Sequence, residues 1–272
     1  MKRAILAAAL SLAAGATLAL GVSAAPAADA PSVSSLAPLM QKEIHWGMSH
    51  AEVVDVYNRP TGLFDKEYAP LLSKLQPGTQ MDEVQAERDN RKANFAHAYS
   101  EFQDTPTGYD LTPLKSEYTY NNGEAVQKIF KDEKTRFFFY IKDHLWKIYD
   151  EVPLKAGGPL GETYQGALAR LAGVLGSPSR VRGAGTAGLD RTTADWQDSS
   201  THLRIVDLTP DHLIGVVLED KRTLSNLASL RANKPTDPFA IDPSITAITR
   251  GGISDPNAAR AADADAGAKR RR

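Results

Sequence analysis

Arg136-Phe137-Phe138-Phe139-Tyr140-Ile141-Lys142-Asp143-His144-Leu145-Trp146-Lys147-Ile148-Tyr149-Asp150 is the stretch whose reading decides the fold. Aromatic and branched side chains at this density fit a pleated, packed surface better than a helix. Phe137, Phe139 and Ile141 share one face at period two; Arg136, Phe138 and Tyr140 share the other. Lys142-Asp143-His144 reads as a polar turn. In the following strand Trp146 and Ile148 are expected to alternate with Lys147 and Tyr149. Upstream, Val126, Lys128 and Phe130 alternate with Gln127 and Ile129. Tyr118 and Tyr120 precede Asn121-Asn122-Gly123, whose Asn-Gly pair signals a tight hairpin. Four antiparallel strands are therefore expected between about Glu117 and Asp150.

Before these strands the period changes to that of helices. Ser49 and Glu52 have capping-box spacing, Val53, Val56 and Tyr57 form one stripe, and Pro60 ends the helix. A helical section from about Asp65 to Phe102 follows, broken at Pro77-Gly78. Its longer arm is expected to be capped at Thr79, with Val84, Phe95, Tyr99 and Phe102 near one face. The charged middle of that arm (Glu87, Arg88, Asp89, Arg91, Lys92) implies a helix that projects or covers the body only at its ends.

After Asp150 the order repeats. Thr163 caps a helix carrying Leu168, Leu171 and Leu175, Gly176 suits the left-handed position that ends it, and Pro178 prevents continuation. Short strands are read around Arg180, Thr193–Gln197, His202–Leu208 and Leu213–Leu218, then a helix from about Arg222 to Leu230. Runs of strands beside helices make the class α+β. The expected layout is two tandem helix-plus-antiparallel-sheet units, at 41–155 and 156–232, the first with a helical insertion at about 61–113.

The ends set the compartment. Lys2 and Arg3, the uncharged run from Ala4 to about Val22, and the small residues Ser23, Ala24 and Ala25 read as a cleavable signal peptide over 1–25. An uncleaved anchor is the alternative. Residues 26–40 read as a flexible leader and 233–272 as a disordered tail, ending in Lys269-Arg270-Arg271-Arg272. The chain has no cysteine, which excludes disulfides, thiolate catalysis and Cys-based zinc. Formal charge is −1, or −3 without Lys2 and Arg3, so no basic field points to nucleic acid. A periplasmic or secreted protein is expected, with no membrane span after cleavage; peripheral contact with a membrane and the oligomeric state are left open.

Gly47-Met48-Ser49 with Glu52-Val53, and Pro60 thirteen residues after the glycine, resembles the opening of the SmpA/BamE family of Gram-negative envelope proteins. Leu175-Gly176-Ser177-Pro178 resembles that family's helix end, and Trp196 falls where its strand aromatic stands. In the first unit Asn58 would take the place of the usual glycine, with φ > 0. Tandem units of this kind also resemble the β-lactamase-inhibitory protein fold. The missing lipidation cysteine and the helical insertion depart from the family. The resemblance implies a protein that acts by binding, with no catalytic residues to carry over.

Other motifs carry little chemistry. Gly183-Ala184-Gly185-Thr186-Ala187-Gly188 spells G-x-G-x-x-G, but turn and strand residues follow it rather than a helix. His45, His50, His97, His144, His202 and His212 include no His-Glu-x-x-His pair. Gly176-Ser177-Pro178 is a helix stop, not a nucleophile elbow. No catalytic residue, metal ligand or cofactor is assigned. The expected function is non-catalytic binding of another protein or an envelope component, in outer-membrane assembly or maintenance. An inhibitor of a secreted or periplasmic enzyme is one alternative; a hydrolase or metal-dependent enzyme with a site dispersed in sequence is the other. The partner-binding candidates are Phe138, Tyr140, Arg136 and Trp146. They form an exposed patch if one sheet face is open, and a second core layer if the insertion covers it.

Overall fold

The stretch quoted above is a hairpin. A computed structural model, which describes residues 32–103, 111–114, 117–131, 133–185 and 191–233, places it in strands β3 (Lys134–Ile141) and β4 (His144–Pro153). Ile141 pairs with His144, and the two residues between, Lys142 and Asp143, have φ of +50° and +59°. Two successive positive φ values match the right-handed twist of the flanking strands. The register then shifts: Phe139 faces Lys147 but Tyr140 faces Leu145. Trp146 is the extra residue of this bulge, so it lies with Lys147 and Tyr149 on the Phe137–Phe139 side, and Ile148 lies on the other. The simple alternation expected from sequence fails here because a bulge adds one residue to the count.

Ahead of the hairpin come α1 (His50–Asn58), α2 (Leu63–Leu72), α3 (Thr79–His97), β1 (Tyr99–Glu101) and β2 (Glu124–Lys131). After it come α4 (Tyr164–Leu175), β5 (Arg180–Arg182), β6 (Thr193–Gln197), β7 (Thr201–Leu208), β8 (Leu213–Asp220), α5 (Lys221–Ser225) and α6 (Leu227–Leu230). The described strands form one antiparallel sheet of eight, in the order β1-β2-β3-β4-β8-β7-β6-β5. β4 and β8 pair at its centre, from Lys147 with Glu219 to Pro153 with Leu213. The α+β class is thus observed.

One face of the sheet carries Phe138, Tyr140, Ile148, Trp196, Leu203 and Ile205. It packs against Val53, Val56 and Tyr57 of α1, Phe64 of α2, Phe95 of α3 and Ala167 of α4. The other face carries Phe137, Phe139, Trp146, Tyr149, Val206 and Val217, beneath Phe102, Leu114, Tyr118 and the leucines at 224, 227 and 230. Burying each large side chain stabilises by about 1.5–3 kcal/mol, so both layers contribute to folding. Among the described residues no helix is long and apolar enough to cross a membrane.

The caps follow the sequence closely. The Ser49 and Glu52 capping box forms, and the Asp143 carboxylate of the β3–β4 turn accepts from His50 N–H at 2.9 Å, tying helix to hairpin. Thr163 Oγ1 accepts from Gly166 N–H, and Gly176 ends α4 with φ +84°. Trp196 Nε1 donates to the Gly176 carbonyl at 2.9 Å, joining that helix end to β6.

Several expectations are corrected. Residues 32–40 are not a loose leader: Ser32 and Val33 N–H donate to Gln197 O, Leu36 N–H to Asp198 Oδ2, and Leu36 and Met40 are buried. The segment forms one short 3-10 turn, Ala37–Leu39, and its two buried apolar side chains help anchor it. Asn58 closes α1 without a left-handed residue, since Arg59 has φ −57°. α3 begins after Gly78 with no side-chain cap from Thr79, and it ends at His97, so Tyr99 belongs to β1 and Phe102 follows it. Tyr118–Tyr120 is not a strand; β2 takes β1 as its outer partner instead, with Tyr99 opposite Gln127. Asn121 and Gly123 do adopt positive φ, but their turn feeds β2 rather than linking two paired strands. The signal region and residues 234–272 of the tail lie outside the described residues.

Candidate functional site

Arg136, Phe138 and Tyr140 come together on the helix-covered face. Phe138 is fully buried beside Tyr57 and Phe95, with ring centroids 5.9 and 6.1 Å away. The Tyr140 hydroxyl donates to Gln127 Oε1 at 3.0 Å, and its ring lies edge-on to His50. Arg136 makes a two-point contact with Asp150, at 2.6 and 2.8 Å. Trp146 is buried on the opposite face. The exposed patch formed by these four residues is therefore corrected: α1 and α3 cover one side, and Leu114, Tyr118 and Tyr120 with α5 and α6 cover the other. A partner cannot meet them directly.

The bulge leads to a feature with no local signature in sequence. Lys147, Glu219, Arg204, His202 and Asp195 stand on neighbouring strands in a row of alternating charge. Glu117, from the segment before β2, completes it: its carboxylate meets Lys147 Nζ at 2.8 Å and Arg204 Nη2 at 2.9 Å. Lys147 Nζ also lies over the rings of Phe139 and Trp146, at 4.4 and 4.5 Å from their centroids. Burial opposes ionisation of Glu117, but Lys147 and Arg204 outweigh it and hold the carboxyl below its usual range. At the far end Arg180 Nε meets Asp195 at 2.9 Å.

His202 sits between Glu219 (2.9 Å) and Asp195 (3.5 Å). Burial works against its charge, but the two carboxylates prevail and push it up to about 9. Glu219 is likewise buried, yet Arg204, His202 and Lys147 bring it down to about 2. Native His202 thus keeps a proton that the unfolded imidazole loses above about pH 6.5. Its stabilisation is complete below that value and disappears as the pH rises through about 9. Urea unfolding at pH 6 and pH 9.5 is expected to differ by on the order of 3 kcal/mol from this residue, and His202→Gln should flatten that slope.

The described surface also offers an amphipathic groove of about 680 Å³ between α2, α3 and the outer part of β2. Phe64 and Phe95 form its floor with Ile129, and Phe130 stands at its rim, 66% exposed. Arg91 crosses it. The guanidinium lies 5.1 Å from the Phe64 ring centroid, meets Glu67 at 2.7 Å, and donates to the Phe130 carbonyl at 3.2 Å. Lys131 meets Glu67 at 3.0 Å. Burial resists the Glu67 charge, but hydrogen bonds from Arg91 and Lys131 keep it ionised. The charged middle of α3 faces α2 through Lys92 and Arg88 on Asp65, while only Phe95 of this helix is buried. Sequence reasoning missed Phe64, Arg91 and Phe130 as a site; each looks ordinary until α3 is laid beside β2.

The remaining motifs do not converge. Gly183–Gly185 follow edge strand β5, and the rest of that glycine run lies outside the described residues. His45 and His144 are near the α1 cap, His97 ends α3, and His212 occupies a left-handed turn before β8. Among the described residues no group of three or more His, Asp or Glu could hold a metal ion. No known protein family, curated protein or solved structure matches this chain at a significant level.

Proposed function

We propose that this chain is a non-catalytic exported protein of a Gram-negative envelope that binds another protein through the groove between α3 and β2. The observation that carries the reading is the groove itself: an apolar floor, an exposed aromatic, and a rim of fixed charges. Exposed aromatics beside buried ones are typical anchors of protein contacts. The groove's carboxylate Glu67 is held by two cations, and Glu87 accepts from the Tyr68 hydroxyl at 2.8 Å. That arrangement suits recognition by shape and charge better than proton transfer.

The architectural part of the proposal is a pair of tandem units similar to the SmpA/BamE domain. Helix-then-strands order on both sides of the β4–β8 pairing supports it, as does the central meeting of each half's last strand. A role in outer-membrane assembly or maintenance follows from that resemblance alone.

In living cells, a photo-crosslinking residue at position 130 should capture one envelope protein reproducibly. The same residue at position 174, where Val174 is exposed at the end of α4, should not. Phe130→Ser should weaken that complex by roughly tenfold or more, since it removes an exposed anchor without touching the core. Equal capture from both positions, or from neither, overturns the groove as the contact surface.

A further inference from the structure

Residues 32–46 run beside the turn between β6 and β7, and Asp198 of that turn ties the two together. Its Oδ2 accepts from Leu36 N–H at 2.6 Å, and its Oδ1 accepts from the N–H groups of Ser200 and Thr201 at 2.8 and 2.6 Å. Trp46 makes a second tie: its Nε1 donates to Thr201 Oγ1 at 3.0 Å. A carboxylate with three backbone donors and an indole held by its one polar atom fix both walls. Between these walls lies a pocket of about 590 Å³ lined by residues of both segments. Small-molecule sites typically enclose about 300–1,000 Å³, so the size fits a compact ligand. The pocket shares no residue with the groove between α3 and β2.

Two kinds of surface meet in it. Pro38, Met40 and Ile44 supply an apolar wall, and Trp46 adds a half-buried aromatic ring. Trp146 and Trp196, the other two tryptophans, are 1% and 0% exposed, so Trp46 is the one a ligand can reach. Gln41, Lys42 and Ser200 supply hydrogen-bonding groups. Gln41 Oε1 accepts from the Tyr57 hydroxyl at 2.7 Å, which orients the carboxamide and leaves its Nε2 to donate. Among the described residues no carboxylate lines the pocket, so nothing there favours a cation. A wholly apolar ligand would press hydrocarbon against the Gln41 amide, and a wholly polar one would waste the indole and the apolar wall.

We infer that this pocket binds an N-acetylated hexosamine unit of a glycan. A pyranose ring presents C–H bonds on one face and hydroxyls around its edge, which matches the two surfaces. Its C–H face would lie against the Trp46 ring, whose negative face attracts polarised hydrogens. The acetamido methyl would meet Pro38, Met40 and Ile44, and the acetamido carbonyl would accept from Gln41 Nε2. Ring hydroxyls would exchange hydrogen bonds with Lys42 and Ser200. An unsubstituted hexose would set a hydroxyl against the apolar wall without a partner, and that difference sets the preference. The site is separate from the groove of the proposed function and does not depend on it.

The test uses the full chain with chitotriose, the β-linked trimer of N-acetylglucosamine, and with cellotriose, the matching glucose trimer. In isothermal titration chitotriose should bind about tenfold tighter than cellotriose. Its binding should shift tryptophan emission to the blue and reduce quenching by acrylamide, because the sugar covers Trp46. Trp46→Phe should abolish both spectral changes, and Trp46→Ala should weaken binding about tenfold or more. If the alanine variant does not fold, Ala37→Arg obstructs the pocket from an exposed position and should weaken binding similarly. Equal affinity for the two trimers overturns the acetamido assignment. Displacement of chitotriose by decanoate at lower concentration makes this an acyl-chain pocket and overturns the sugar. Absence of binding by either trimer overturns the site. Crosslinking from position 130 reads the groove alone, so the two proposals succeed or fail separately.

Discussion

Glu117→Leu is expected to lower unfolding stability by about 3–5 kcal/mol, measured by urea titration near pH 7. The carboxylate is buried between Lys147 and Arg204, and the Lys147 ammonium is enclosed by Phe139 and Trp146. Removing it leaves a buried cation with its strongest partner gone, which costs more than the ion pair itself contributes. The decisive comparison is the double variant Glu117→Leu with Lys147→Met. Replacing both members by apolar groups removes the stranded charge, and Arg204 still has Glu219 at 3.4 Å. Most of the loss should therefore return, leaving the double variant within about 2 kcal/mol of the parent. Should the two single losses simply add, the row would not act as a coupled network.

Phe138→Ala is expected to cost about 3–5 kcal/mol as well, and for a different reason. Its ring is sealed between β3 and the helices, against Tyr57 and Phe95, so truncation leaves a cavity that helices pinned by ion pairs cannot readily close. Tyr140→Phe should be much milder, about 1 kcal/mol, because it removes one hydrogen bond and leaves the Gln127 carbonyl oxygen unpaired. Thermal or urea unfolding separates the two. A Phe138→Ala protein of unchanged stability would show that this face is not the core described above. Neither substitution should be used to probe partner binding, since a fall in affinity would then reflect unfolding.

The sequence by itself determined the local elements. Capping chemistry marked α1 and α4 through Ser49, Glu52 and Thr163, because the residues that satisfy orphan backbone N–H groups are few and sit at fixed spacing. Gly176 marked a helix end for the same kind of reason: only a residue free to take φ of +84° stops the helix there cheaply. Alternating apolar residues marked β3, β4, β7 and β8, since a pleat has period two whatever lies above it.

What covers each face was decided only by the tertiary structure. Phe138 and Tyr140 read identically whether a helix or water lies over them, and only the placement of α1 and α3 settles it. The bulge at Trp146 depends on a pairing register that no single strand contains. Lys147, Glu117, Glu219, Arg204 and His202 are scattered over a hundred residues and become a charge row only when β4 meets β8. The groove at Phe130 is likewise a relation between a helix and a strand edge, and such relations are set by packing free energy summed over the whole core rather than by any local propensity.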